Sequence, residues 1–292
     1  MELNLHRGGA SAMVTTLGAE MRRYVSEDGT SRLWSGDAAV WSGVSPHLFP
    51  VIGNLKDGQV YFGGKPYATP KHGIARHSEF AVLRQSEDSC TLRLQNSPET
   101  EKVYPFAFAF DVTHQLAERG FTVTYEVENR SEADLPFTLG GHPAFTCPMK
   151  EGERFEDYIV RFAEPEEGTS LLVNQRGLIE GKETIALENG RELALRYEDF
   201  DQKDTLLFAG LKSRAVELVH RQTGHGLRFS FPAFSTLAVW SKPNAHAPYV
   251  CIEPWIGLPA FADEKPGFEH KPYHIELKPG ESYSAWYGME TI

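Results

Sequence analysis

The sequence is poor in cysteine, in basic residues and in long apolar runs. Its 292 residues include three cysteines, Cys90, Cys147 and Cys251, whose wide spacing forms neither a disulfide framework nor a zinc pattern, so a reducing compartment is expected. Lys and Arg number 29 against 40 Asp and Glu, a net charge of −11, which argues against nucleic acid or an anionic membrane as a partner. No apolar run approaches membrane-spanning length, and the first residues lack the pattern of a signal peptide. We expect a cytoplasmic protein.

Several catalytic signatures are missing as well. Lys65 follows two glycines but precedes Pro66, so it does not complete a phosphate-binding loop. His77 opens a zinc-deaminase signature that no Pro-Cys-x-x-Cys completes, and His72 and His77 lack partners at metal-ligand spacing. No Gly-x-Ser-x-Gly supplies a serine nucleophile. The sequence therefore predicts neither a metal nor a cofactor.

Alternating apolar and polar residues dominate the chain. In Phe121–Glu128, Phe, Val and Tyr alternate with Thr and Glu, which is typical of a strand with one buried face. Similar runs occupy residues 91–95, 106–113, 158–162, 193–197, 215–219, 227–231 and 283–288. Asn189-Gly190 between two apolar segments predicts a hairpin, and a short turn is expected near 196–200. Without linkers, repeats or a βαβ rhythm, we predict one all-β domain over residues 1–292, an antiparallel sandwich or barrel.

His142 is the first candidate for proton transfer. It lies in the segment Gly140-Gly141-His142-Pro143-Ala144-Phe145. The glycines would let the backbone approach a bound molecule, Pro143 disfavours helix at His142, and Phe145 offers an aromatic face. Two interpretations stay open at this point: a functional histidine, or a turn histidine that bonds a nearby carbonyl.

Glu253 is the second candidate. It follows the apolar run Tyr249-Val250-Cys251-Ile252 and precedes Pro254-Trp255. Burying a carboxylate is costly unless it is paired, so its pKa is expected to rise. The alternative is an edge-strand carboxylate in water, which Pro254 would tolerate, but Cys251 and Trp255 favour a pocket-lining segment. A His and a Glu brought together can perform paired acid and base chemistry without a cofactor.

Two further segments carry polar side chains. His72 is followed by Gly73 and, four positions after the histidine, by Arg76, a pattern that fits either a site loop or a solvated loop. Asp204 precedes the apolar run 205–208, where it either contacts a ligand or caps a turn.

With these segments in place, the chain resembles the aldose 1-epimerase (galactose mutarotase) family over nearly its whole length. It is most similar to a bacterial branch related to lactose-operon proteins. The segments that carry the resemblance are, in order, HLFPVIGNLKDG from His47, HGIAR from His72, GHPAF from Gly141, DTLLF from Asp204, CIEPW from Cys251 and LKPGE from Leu277. Each is weak alone, but their order and spacing together are specific.

The resemblance implies a large antiparallel β-sandwich, the supersandwich of galactose mutarotase-like proteins, with a sugar site on the concave face of one sheet. It implies interconversion of the α and β anomers of a hexose, with His142 as acid and Glu253 as base. His72 matches the second histidine of the family's site. The substrate-binding residues expected around them are Arg76, Asp204, Asn54, Trp255 and Phe145.

The chain departs from this branch at two positions. Asn54 stands where the branch usually has Arg, and His77 stands where an acidic or amide residue is expected. Arg76 is expected to supply the positive group that Asn54 lacks. These differences bear on which sugar is bound more than on the reaction.

Three other functions remain open. An epimerase of hexose 6-phosphates would need a basic clamp, for which the candidates are Lys56, Lys71, Arg76 and Lys203. A non-catalytic sugar-binding protein could use the same fold. A glycoside hydrolase needs two carboxylates, and beside Glu253 only Asp204 is available. The expected partner is a small-molecule sugar, and the expected state is a monomer or homodimer.

Overall fold

The computed structural model describes residues 1–292, which form many short strands and very little helix. The strands are β1 (Glu2–Arg7), β2 (Ala10–Thr15), β3 (Met21–Val25), β4 (His47–Leu48), β5 (Val60–Phe62), β6 (Lys65–Tyr67), β7 (Ala81–Gln85), β8 (Ser89–Gln95), β9 (Phe108–Ala117), β10 (Gly120–Asn129), β11 (Leu135–Phe137), β12 (Leu139–Gly141), β13 (Ala144–Thr146), β14 (Tyr158–Phe162), β15 (Thr169–Val173), β16 (Ile179–Thr184), β17 (Glu192–Ala194), β18 (Thr205–Phe208), β19 (Ala215–His220), β20 (Gly226–Ser230), β21 (Thr236–Trp240), β22 (Tyr249–Ile256), β23 (Ile275–Leu277) and β24 (Ser282–Thr291). The helices are α1 (Pro98–Glu101) and α2 (Tyr197–Lys203), and single 3₁₀ turns span Lys56–Gly58, Ala75–His77, Phe155–Asp157 and Phe268–His270.

Two large sheets account for most of the strands. One has nine strands in the order β17-β14-β19-β20-β24-β10-β9-β8-β7. The other has eight: seven in the order β16-β15-β18-β21-β22-β12-β4, with β13 also paired to β22. Every pairing between these strands is antiparallel. Neither helix has the length or the apolarity to cross a membrane.

The two sheets pack face to face. Aromatic rings meet across the interface, with Phe145 of β13 at 5.4 Å from Phe229 of β20 and Phe162 of β14 at 5.5 Å from Phe208 of β18. A cluster of 62 buried residues fills the space between the sheets and includes side chains from both ends of the chain. The predicted large antiparallel β-sandwich is confirmed, because the alternating pattern buries one face of each strand.

Strand β22 is buried on both faces along all eight of its residues. Val250, Ile252 and Ile256 belong to the core between the sheets. Cys251 and Trp255 belong to two smaller clusters on the opposite face, and Glu253 lies between them in sequence. Successive side chains of a strand point to opposite faces. The alternation therefore places Cys251, Glu253 and Trp255 on the face away from the core.

The structure corrects two local expectations near residue 190. Asn189 and Gly190 form the predicted tight turn, with φ of 53° and 68°, but only Glu188 bridges Glu192 across it. Strand β17 pairs with β14 instead of completing a regular hairpin. The predicted strand over 193–197 ends at Ala194, since Tyr197 begins α2 and stacks on Phe155 at 4.0 Å. The short turn expected near 196–200 is this helix.

Two fully buried histidines tie the first strands to the nine-stranded sheet. His47 Nε2 and His114 Nε2 both contact the carbonyl oxygen of Ala19, at 3.0 Å and 2.8 Å. His47 Nδ1 lies 2.8 Å from the hydroxyl of Tyr125. Burial lowers the pKa of His47 to about 3 and that of His114 to about 4, so both rings are neutral in the folded protein at neutral pH.

These lowered pKa values predict a loss of stability on acidification. In the unfolded chain, His114 becomes protonated below its ordinary pKa of 6.5. In the folded protein, the same ring stays neutral down to about pH 4. The free energy of unfolding should fall in that window by about 1.4 kcal/mol per pH unit for each such histidine. His114→Gln keeps an amide donor for Ala19 and should reduce this pH dependence by that amount, measured by urea unfolding at pH 7 and pH 5. An unchanged dependence in the variant would contradict this account of His114.

Candidate active site

A cavity of about 390 Å³ opens on the face of the eight-stranded sheet that points away from the core. Its lining brings together segments that are far apart in the chain. All the residues predicted for the site except Phe145 contribute to it, namely Asn54, His72, Arg76, His142, Asp204, Glu253 and Trp255. The fold thus gathers these seven side chains around one space of small-molecule size.

The prediction that Phe145 contacts the sugar is wrong. Its side chain is fully buried in the core between the sheets. Ala144, next to it on β13, belongs instead to the cluster on the cavity side of the sheet. Side-chain alternation in this extended segment explains the difference, because Phe145 lies three positions after His142, an odd offset, so the two side chains face opposite sides.

His142 and Glu253 are neighbours across two adjacent strands. β12 pairs with β22 through Gly140 opposite Trp255, and β13 pairs with β22 through Ala144 opposite Cys251. Both pairings belong to one antiparallel register, which places His142 directly opposite Glu253. The ladder is interrupted between them, where Pro143 and Pro254 have no N–H to donate. One backbone bond still spans the gap, since the Ile252 N–H donates to the carbonyl of Pro143 at 3.2 Å, while the His142 N–H points toward the β4 side and donates to the carbonyl of Pro46 at 3.0 Å.

The two side chains are in contact and almost without solvent. His142 Nε2 lies 3.2 Å from Glu253 Oε2, and the residues are 7% and 2% exposed. Glu253 is therefore not the edge-strand carboxylate in water that the sequence left open. His142 is not a turn histidine bonded to a carbonyl either, since its Nδ1 has no hydrogen-bond partner.

Burial shifts the two groups in opposite directions. It raises the pKa of Glu253 well above its ordinary value, as the sequence predicted. It lowers the pKa of His142 well below its ordinary value, and the positive charge of Arg76 lowers it further. Both shifts favour a protonated carboxyl beside a neutral imidazole. This neutral pair holds as many protons as the ion pair of a carboxylate and an imidazolium, so one proton can pass between the two forms without exchange with solvent.

His72 is held by an unusual stretch of backbone. His72 and Gly73 both have positive φ, 63° and 77°. The His72 N–H donates to the Gly53 carbonyl at 3.0 Å, and the Gly53 N–H donates to His72 Nδ1 at 3.1 Å. Since Nδ1 accepts, the proton of the neutral ring is on Nε2. Burial lowers the pKa of His72, with a further contribution from His142, whose ring lies 5.8 Å away. His72 is thus a hydrogen-bond donor in the cavity wall.

Gly140 and Gly141 were expected to let the backbone approach a bound molecule, but the groups closest to them are aromatic side chains of the protein. A Cβ on Gly140 would lie 2.5 Å from the ring of Trp255, and one on Gly141 would lie 2.5 Å from the ring of Tyr287. These contacts are too close for any side chain. The glycines therefore admit two of the protein's own aromatic rings, one on each side of the sheet, and not a ligand.

Asp204 and Asn54 combine structural contacts with their place in the cavity wall. Asp204 ends α2 with φ of 61°, and its N–H donates to the carbonyl of Phe200 at 2.8 Å. Its carboxylate accepts from Trp240 Nε1 at 3.4 Å. Asp204 therefore ends a helical turn, as one interpretation expected, and its contact with a ligand stays a prediction. Asn54 donates through Nδ2 to the carbonyl of Arg176 at 3.0 Å and so fixes a loop at the cavity rim.

The candidate phosphate clamp separates into two pairs. Lys71 and Arg76 line the cavity and form no salt bridge. Lys203 pairs with Glu183 at 2.7 Å, and Lys56 donates to the carbonyl of Glu264 at 3.0 Å. Neither Lys56 nor Lys203 reaches the cavity, so the predicted clamp is wrong for these two residues.

Two tryptophans of the site were not predicted from the sequence. The Trp41 ring lies 5.1 Å from that of His142, and the Trp240 ring lies 5.6 Å from it. Trp240 ends β21, whose sequence is apolar on both faces, so no alternation in the sequence shows which way it points. Trp41 lies in a segment without regular structure, where no periodic signal exists.

Unpartnered polar atoms collect at the floor of the cavity. His142 Nδ1, Glu253 Oε2 and Trp255 Nε1 are buried and have no hydrogen-bond partner in the protein. Most buried polar atoms are paired in native proteins. A group of buried, unpaired polar atoms beside a cavity is typical of a site that a polar ligand completes.

Known proteins agree with this fold. Residues 1–290 match the family described as aldose 1-epimerase. The chromosomal protein LacX of Lactococcus lactis subsp. lactis is 32% identical over 300 residues, covering the whole of both chains. This chain belongs to the aldose 1-epimerase family. Membership confirms the resemblance seen in the sequence and places the chain among sugar epimerases, which are isomerases.

Solved structures show the same arrangement. A galactose mutarotase related enzyme from Lactobacillus acidophilus has a TM-score of 0.93 and 26% identity, covering 100% of this chain and 97% of that one. A galactose mutarotase-like protein from Lactobacillus casei ATCC 334 has a TM-score of 0.93 and 27% identity, with both chains fully covered. The fold of this aldose 1-epimerase family member is therefore that of the galactose mutarotase-like proteins.

The backbone at His72 predicts a steric requirement for glycine at position 73. A Cβ there would lie 2.1 Å from the carbonyl oxygen of Phe49. Gly73→Ala should lower the free energy of unfolding by more than the ~1–3 kcal/mol of backbone strain alone. Gly280→Ala is the matched control, since Gly280 has φ of 79° and nothing within 4 Å. Urea denaturation measures both, and equal losses in the two variants would show that the contact with Phe49 is unimportant.

Proposed function

We propose that this member of the aldose 1-epimerase family interconverts the α and β anomers of a hexose by opening and reclosing the pyranose ring. The observation that carries the proposal is the contact between His142 and Glu253 in a cavity that also contains His72. A volume of about 390 Å³ lies within the usual range of small-molecule sites, about 300–1,000 Å³. The acid, the base and a further donor thus have access to one sugar.

Ring opening needs two proton transfers. Glu253, as the carboxylate, accepts the proton of the C1 hydroxyl, and His142, as the imidazolium, donates its proton to the ring oxygen. The bond between C1 and the ring oxygen breaks, and the electrons left by the C1 hydroxyl form the aldehyde. Rotation about C1–C2 and reclosure with the transfers reversed give the other anomer. Only protons move, so the step needs no redox cofactor.

The burial of the pair sets which of its two forms is favoured at each stage of this cycle. Before opening, the pair is a carboxylate and an imidazolium; afterwards it is a carboxyl and a neutral imidazole. The low polarity that raises the pKa of Glu253 and lowers that of His142 favours the second state. The unliganded pair therefore rests in the protonation state that accompanies the open sugar, and ring opening requires the proton to pass from Glu253 to His142 first, with the total proton count unchanged.

The surrounding residues would orient the sugar. His72 offers its Nε2–H to the ring oxygen side, and Asp204 and Arg76 contact hydroxyls. Trp255 presents an aromatic face to the apolar side of the pyranose. Asn54 donates to the carbonyl of Arg176 and holds the loop at the cavity rim. Arg76 supplies the positive charge in the cavity.

The mechanism predicts that two isosteric substitutions abolish most of the activity. Glu253→Gln cannot accept the C1 proton and His142→Asn cannot protonate the ring oxygen, so each should lower the rate by about 10²–10⁴. Polarimetry on freshly dissolved α-glucose and α-galactose measures the rate, and circular dichroism checks the fold. His77→Asn and Glu126→Gln, at exposed positions, are the matched controls. Full activity in either site variant would remove that residue from the mechanism.

One observation favours a second candidate, an epimerase of hexose 6-phosphates. Lys71 and Arg76 bring two positive charges into the cavity without a salt bridge, in a protein whose net charge is −11. A phosphate group on the sugar could pair with both. Free sugar remains the first candidate, since its hydroxyls alone account for the unpartnered atoms at the cavity floor.

The two candidates predict different responses to loss of these charges. For a phosphorylated substrate, Arg76→Gln and Lys71→Gln should each raise KM roughly ten- to hundredfold, because a charge-assisted hydrogen bond is worth about 1.5–3 kcal/mol. Polarimetry of glucose and glucose 6-phosphate side by side measures this. Lys203→Gln, outside the cavity, is the control. Faster epimerisation of free glucose than of its 6-phosphate by the unmodified protein would reject the second candidate.

A further inference from the structure

One buried thiol adjoins the site without a part in the mechanism. Cys251 lies two residues before Glu253 on β22, so both side chains are on the cavity side of the sheet. The Cys251 sulfur, a nitrogen of His142 and a carboxylate oxygen of Glu253 all lie within 4.8 Å of one another. Cys251 is fully buried, with Ala144 and Tyr249 in the same apolar cluster.

We propose that His142, Cys251 and Glu253 form a binding site for a zinc-type divalent cation, and that the cation inhibits the enzyme by occupying the groups that act on the sugar. The site has three protein ligands, with its remaining coordination position toward the cavity. The cation is an inhibitor in this arrangement and takes no part in epimerisation.

The distances fit a tetrahedral ion. Zinc binds imidazole nitrogen and carboxylate oxygen at about 2.0–2.2 Å and thiolate at about 2.3 Å, so two such ligands are about 3.4 Å apart. His142 Nε2 and Glu253 Oε2 are 3.2 Å apart. With the sulfur no farther than 4.8 Å from either, small side-chain rotations complete the site.

The chemistry of the donors selects the ion. A thiolate with an imidazole suits zinc, cobalt and similar ions, whereas magnesium and calcium prefer oxygen alone. Binding releases the thiol proton and the carboxyl proton to solvent and uses the lone pair of His142 Nε2. Glu253 Oε2, in a residue only 2% exposed, has no hydrogen-bond partner, so it is available as a ligand.

Competition with the sugar follows from the shared atoms. The nitrogen and oxygen that bind the cation are those that transfer protons in the proposed function, so sugar and cation cannot both engage them. The inhibition therefore rests on the proposed function, whereas the binding of the cation does not. A spectroscopic measurement of binding separates the two.

The test uses cobalt as a spectroscopic substitute for zinc. Chelator-treated full-length protein titrated with Co²⁺ should develop a thiolate-to-cobalt absorption band in the near ultraviolet and the visible bands of a tetrahedral ion, and Zn²⁺ should abolish both. Cys251→Ala should lose the ultraviolet band and weaken binding by more than about 100-fold, because even outer partners of a metal site are worth about 10- to 100-fold. Cys90→Ala, another buried free cysteine, should behave like the unmodified protein.

Polarimetry provides the second readout. Zn²⁺ should inhibit epimerisation competitively with the sugar, and Cys251→Ala should keep its basal rate while losing zinc sensitivity. Cys251→Ser, which is closer to cysteine in volume, replaces the alanine variant if that protein does not fold. Absence of the cobalt bands in the unmodified protein, or equal zinc sensitivity of the Cys251 and Cys90 variants, would overturn the site. Cobalt bands in a protein without epimerase activity would keep the site and reject the proposed function.

Discussion

The site depends on one antiparallel register between β22 and the chain from Leu139 to Thr146. Residues on either side of the gap pair with β22 in the same register, so His142 is held opposite Glu253 although no ladder hydrogen bond joins them. Cross-strand neighbours of this kind have Cβ atoms about 4.5–5.5 Å apart. A slip of one residue would turn Glu253 into the core and Ile252 into the cavity. The two side chains are therefore positioned by the sheet and not by a flexible loop.

Burial of this pair determines its chemistry. The face of β22 away from the core is covered by Trp41, Trp240 and Trp255, and little solvent reaches Glu253. A carboxylate in such a place is costly, and the cost is reduced by a proton, by the partner histidine or by a ligand. Desolvation would destabilise an unpaired charge. For the same reason, the protonation of the pair depends strongly on the polar or charged groups that enter the cavity, such as sugar hydroxyls or a cation.

Much of the fold could be predicted because its signals are local. The period-two pattern of residues 121–128 reappears as β10, and the apolar run before Glu253 reappears as the buried strand β22. Phe145 has a local signal too: it lies three positions after His142 in an extended segment, and this odd offset places its side chain on the core side. The glycines at 140 and 141 show a different limit, since the rings of Trp255 and Tyr287 that require them are distant in sequence.

The sequence by itself determined the class of fold, the family, and the residue types able to transfer protons, because alternation and short motifs are written along the chain. Only the tertiary structure decided which of these residues meet. Lys56 and Lys203 find partners elsewhere, while Lys71 and Arg76 reach the cavity, and Trp41 joins it from an irregular segment. The reason is that contacts across sheets depend on register, on solvent exclusion and on competition for charged partners, which are properties of the packed molecule and not of any segment.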